Sequence, residues 1–100
     1  MKETIKAING KSVESSRGWR IDILSIDSFL YSEDGKTIKM EIEDRPDAGG
    51  ELEWIIYTPE NWVWNHSDHD EPITQEKISE IFNRIELAFW KLDMKIKEIV

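Results

Sequence analysis

The spacing of apolar positions changes once along the chain, close to Thr74. Before that point the recurring period is two residues. The run Thr37–Glu43 alternates cleanly, with Ile38, Met40 and Ile42 on one face, and Leu52, Trp54 and Ile56 repeat the pattern after a Gly-rich loop. Residues 2–8 and 11–16 flank Asn9-Gly10, a strong short hairpin signal. The stretch from Trp19 to Ser32 is apolar but irregular, and reads as one bent strand or two short ones. Asp34-Gly35 marks another tight turn, and Pro59 stops the last strand.

From Gln75 the period becomes 3.6. Ile78, Ile81, Phe82, Ile85, Ala88, Phe89, Leu92, Ile96 and Ile99 then fall on one stripe. Thr74 is placed to cap a helix, and Glu76 sits favourably in its first turn. The pattern predicts a single α+β domain over 1–100. Its parts are an antiparallel meander of four to six strands (1–58), a connecting loop (59–73) and one long C-terminal helix (74–98) on one face. A helix of about 25 residues spans roughly 38 Å, against about 23 Å for a seven-residue strand, so it must cross obliquely, bend or overhang. Leu87, Trp90 and Met94 form a second apolar stripe away from the first. Either an N-terminal segment covers it or it is a subunit contact, most simply of a two-fold homodimer.

Composition narrows the function. With 100 residues there is room for one core, and five tryptophans supply bulk to fill it. The absence of cysteine excludes disulfides and thiol nucleophiles. The charged opening residues lack the apolar stretch of a secretory leader, and no apolar run approaches the roughly 20 residues of a membrane span, which points to a cytoplasmic protein. A net charge of -8 argues against nucleic acid and anionic membrane as partners. Residues 32–73 hold twelve acids against Lys36, Lys39 and Arg45, while both flanking segments are near balance. Such a field accelerates encounter with a basic protein, although it also serves solubility.

Pairing the clean strands with inward residue opposite inward residue (Ile42 with Leu52, Met40 with Trp54, Ile38 with Ile56) sets Glu43 opposite Glu51 and Glu41 opposite Glu53. Like charges in register cost roughly 0.2–1 kcal/mol per pair, which a basic partner or a cation would relieve and solvent screening would soften. Lys39, Ile55, Thr37 and Tyr57 continue that outer face as a mixed strip suited to a protein contact.

The loop Pro59–Thr74 carries Trp62 and Trp64, then His66, Asp68, His69, Asp70 and Glu71. The His/carboxylate spacing fits no zinc-helix pattern and no EF-hand, so no metal and no cofactor are expected, and the acids read as a solvated docking rim. No nucleophile elbow, phosphate loop or thiol is present, and no enzymatic constellation can be assembled. Trp62 and Trp64, two residues apart on an extended segment, point the same way and serve either as core plugs or as aromatic anchors.

Tyr57, Trp64, Glu71-Pro72-Ile73-Thr74 and the isoleucines Ile78, Ile81 and Ile85 form a strand–loop–helix segment. It resembles the tail of immunity protein family 74 of bacterial polymorphic-toxin systems. The resemblance implies a small cytoplasmic protein that binds and neutralises a toxin domain. The acidic hairpin face and the loop, read from the residues themselves, supply the expected contacts: Glu41, Glu43, Glu51, Glu53, Trp62, Asp68, Asp70 and Glu71.

Overall fold

The structure, a computed structural model, describes residues 2–65 and 71–100. In chain order the elements are β1 (Ile5–Asn9), β2 (Ser12–Ser15), β3 (Trp19–Ser25), β4 (Ser28–Glu33), β5 (Lys36–Pro46), β6 (Leu52–Tyr57), β7 (Val63–Trp64), β8 (Glu71–Pro72), α1 (Gln75–Lys91) and β9 (Lys95–Ile99). A seven-stranded sheet runs β1-β2-β3-β4-β5-β6-β9, and β7 pairs with β8 in a separate ribbon. The expected α+β class with one helix on one face holds. The strand number and the purely antiparallel pattern do not, because β9 returns along the β6 edge in parallel.

The turn chemistry acts as its residues require. Asn9 Oδ1 accepts from the Lys11 N–H (2.7 Å) and closes the first hairpin. Asp34 (φ 48°) and Gly35 (φ 75°) form the two-residue connection between β4 and β5 with both dihedrals positive. The irregular stretch from Trp19 resolves into two strands with Ile26-Asp27 at the turn.

The helix is shorter than the periodicity implied, and residues 92–98 leave it. The Asp93 N–H donates to the Trp90 carbonyl (3.0 Å) and the Met94 N–H to the Phe89 carbonyl (2.8 Å). With Asp93 left-handed (φ 59°), this is a Schellman closure whose usual glycine is an aspartate. Ile96 and Ile99 therefore meet β6 as strand residues, opposite Trp54 and Ile56.

The β5–β6 register also differs from expectation. Ile42 faces Ile56, Asp44 faces Trp54 and Arg45 faces Glu53, a slide of four residues. The strand runs on through Pro46, and Asp47 then folds the loop, its carboxylate accepting from the Gly49 and Glu51 N–H groups (both 2.8 Å). An even slide keeps each strand's faces, so Ile42, Trp54 and Ile56 stay on the core side, while Leu52 at the strand end is left exposed and the outer pairs change.

That core gathers Trp19, Ile21, Phe29, Tyr31, Ile38, Met40, Ile42 and Ile56 from the sheet, with Ile78, Ile81, Ile85, Ala88 and Phe89 from α1. Trp64 belongs to it, stacked on Tyr31 at 6.0 Å, and Tyr31 stacks on Trp19 at 6.4 Å. The Asn65 N–H donates to the Thr37 carbonyl (2.8 Å) and fastens the β7 end to β5 where β6 no longer covers it.

Candidate functional site

The face of the sheet opposite α1 is built by strand alternation alone. Ser28, Glu41 and Tyr57 lie side by side in one row across β4, β5 and β6, and Glu43 and Ile55 form the next row. Tyr57 leans diagonally, and its hydroxyl donates to Glu43 Oε2 (2.8 Å), which also accepts from Arg45 Nε (3.0 Å). The Tyr57 bond, with the Arg45 guanidinium behind it, holds the Glu43 carboxyl below the ordinary value of 4.5 despite some desolvation. The same bond pushes the Tyr57 phenol up. Both groups therefore keep their hydrogen-bonded states, carboxylate and neutral phenol, at neutral pH.

Around this pair lies a shallow groove. One part, of about 380 Å³, is walled by Asp27, Ser28, Lys39, Glu41, Glu43 and Tyr57. An adjoining part of about 270 Å³ continues over Tyr57 to Pro59 and Glu60. The β3–β4 turn brings Asp27 there, since its carbonyl accepts from the Ile42 N–H (3.0 Å). Four carboxylates thus border one groove with Lys39 as the cation among its lining residues. Glu41 is exposed and has no cationic partner among the described residues.

The expected site residues separate into three groups. Glu41 and Glu43 come together in the groove, opposite Tyr57 and Ile55 instead of Glu53 and Glu51. Glu53 sits across from Arg45 and 3.6 Å from Lys95 Nζ, with its side chain only 14% exposed. Glu51 borders a different cavity, with Leu52 and Trp90, at the far end of the sheet. Glu71 pairs with Lys36 Nζ at 2.7 Å, and Trp62 is half-buried edge-to-face on Phe82. His66, Asp68, His69 and Asp70 lie outside the described residues. Leu87 and Trp90 are exposed on α1, whereas Met94 is half-buried beyond the helix end and no longer belongs to a helical stripe.

Sequence reasoning missed Asp27 and Glu60. Asp27 is 14 residues from Glu41 in the chain, and the β4–β5 register, which sets Ser28 opposite Glu41, brings them together. No sequence periodicity marks that proximity.

A second charged cluster lies between α1 and the sheet and is structural in form. Tyr31 donates to Glu33 (2.8 Å) and accepts from Arg84 (2.6 Å), while Lys77 bridges Glu33 (3.1 Å) and Glu80 (2.5 Å). Burial pushes the Tyr31 phenol far above its ordinary value. Each carboxylate there has a cation beside it. Among the described residues, no three side chains capable of holding a metal converge. Among the same residues, no helix is long and apolar enough to cross a membrane. No family model, curated protein or solved structure matches this chain.

Proposed function

We propose that this chain is an immunity-type protein that binds a basic domain of a bacterial toxin and neutralises it, and that the groove around Glu41 and Tyr57 makes the contact. The observation that carries the reading is the convergence of Asp27, Glu41, Glu43 and Glu60 around the half-buried ring of Tyr57. Four carboxylates set against Lys39 and the Arg45 that holds Glu43 leave an excess of negative charge, and a guanidinium or ammonium group from outside lowers the cost of that excess. Tyr57 supplies a rigid amphipathic contact whose own hydroxyl is already satisfied by Glu43, so docking strands no polar group. The remaining acids of residues 32–73 contribute a long-range field that steers a basic partner. The strand–loop–helix segment that resembles immunity protein family 74 supports the same class. Binding, without catalysis, accounts for the arrangement of this face, and a cytoplasmic location follows from the role.

The test asks whether a neighbouring open reading frame encodes a basic, growth-inhibiting domain and pairs this chain with it. Co-expression is expected to restore growth, and the purified pair to associate rapidly at low salt. Asp27→Lys, Glu41→Lys and Glu60→Lys together are expected to slow association tenfold or more, with the difference shrinking as salt rises. Growth rescue with an unchanged association rate in the triple variant would move the contact elsewhere. Absence of both rescue and binding would end the immunity reading.

A further inference from the structure

The helix ends at Lys91 so that the chain can turn into β9, and this leaves one end of the core-side face without cover. Ile23, Ile26, Trp54 and Met94 line an apolar cavity of about 280 Å³ there. Met94 also lines the neighbouring depression, whose other walls include Leu52 and Trp90. Trp90 is 74% exposed and Ile26 76% exposed, so the region pairs a protruding indole with an apolar hollow of comparable size.

We infer that this end of the molecule is a two-fold homodimer contact in which Trp90 of each copy enters the hollow between Ile26 and Trp54 of the other. A protrusion and a matching hollow on one surface, on either side of Met94, are what an isologous contact requires, because each copy presents both halves. Charge selects the second copy over other occupants. The chain carries -8 overall, so most faces of two copies repel. At this end Lys11 and Lys95 stand among Glu51, Asp93 and the Glu53 that Lys95 pairs with, so charge is close to balance and a second copy meets little repulsion. A basic partner finds no such excess of acid here. The proposed dimer contact is separate from the acidic groove and stands or falls without it.

Light scattering and sedimentation equilibrium on the full chain are expected to give twice the chain mass at high micromolar concentration. Trp90→Glu is expected to weaken self-association about 100-fold or more, and Ile26→Glu, at an exposed turn, to do the same with an unchanged circular dichroism spectrum. The chain has no cysteine, so Trp90→Cys and Ile26→Cys give a direct geometric readout. Mixed and oxidised, they should form the 90–26 disulfide between copies in preference to 90–90 or 26–26. A monomeric wild type, a dimer that survives both glutamate variants, or crosslinking restricted to 90–90 or 26–26 would each overturn the proposal.

Discussion

Arg84 illustrates how much one side chain can hold at the helix–sheet boundary. Its guanidinium lies 5.5 Å over the Trp19 ring, donates to the Tyr31 oxygen, and pairs with Glu80 at 3.0 Å and Glu33 at 3.4 Å. The Arg84 and Glu33 side chains are only 15% and 13% exposed, so losing the cation leaves a nearly buried carboxylate with Lys77 as its remaining cation beside the Tyr31 hydroxyl. We expect Arg84→Ala to cost about 2–3 kcal/mol in urea denaturation, by the logic of breaking a buried pair from one side. Glu80→Ala, whose side chain is 45% exposed, should cost less than about 1 kcal/mol. Equal losses in the two variants would show that burial does not set the difference. None of this was legible in the sequence, where Arg84 reads as one more residue on a polar helix face. Tyr31 and Glu33 lie more than fifty residues earlier.

At the scale of elements, the end of α1 is where periodicity misled. Ile96 and Ile99 continue the helical stripe arithmetically, yet they belong to β9. Hydrophobic spacing cannot separate a helix's last turns from a short strand when apolar residues stand three apart, and no glycine marks the stop. The stop comes from Asp93 in a left-handed conformation that an aspartate tolerates at some cost. Asp93→Gly is therefore expected to stabilise the protein by about 0.5–1 kcal/mol, seen as a higher urea midpoint at unchanged slope. A lower midpoint would mean that the aspartate side chain contributes something the backbone does not show. At the other end the sequence reading held: Thr74 Oγ1 accepts from the Lys77 N–H (3.2 Å). Thr74→Ala should cost about 1 kcal/mol by the same measurement.

For the molecule as a whole, charge placement predicts its response to pH. The bond from Lys77, aided by Arg84, holds the Glu80 carboxyl below 4.5. Glu3 is likewise lowered, first by the Ser15 hydroxyl and also by the Trp19 indole N–H, against some desolvation. Carboxyls with a depressed folded-state value stabilise above their unfolded value and lose that contribution as pH falls below 4.5 through the folded one. Tyr31 works in the opposite sense. Its raised value, set chiefly by burial, favours the neutral phenol, so its contribution is full below pH 10.0 and is lost as pH rises beyond it. The thermal midpoint should thus fall on both the acid and the alkaline side, and Tyr31→Phe should blunt the alkaline fall. An alkaline limb identical in Tyr31→Phe would assign that limb to another group.

The sequence by itself determined the inward residues of β5 and of the helix, a hairpin just after Asn9 (its turn residues being Gly10 and Lys11), the turn at Asp34-Gly35, and the capped start of the helix. These depend on interactions within a few residues, where alternation and backbone preference act directly. Only the tertiary structure decided the β5–β6 register, the parallel return of β9 and the neighbours of each outer carboxylate. A slide by an even number of residues leaves the buried pattern intact, so hydrophobic spacing is blind to it. That slide separated Glu41 and Glu43 from Glu51 and Glu53, and it set Glu41 beside Tyr57.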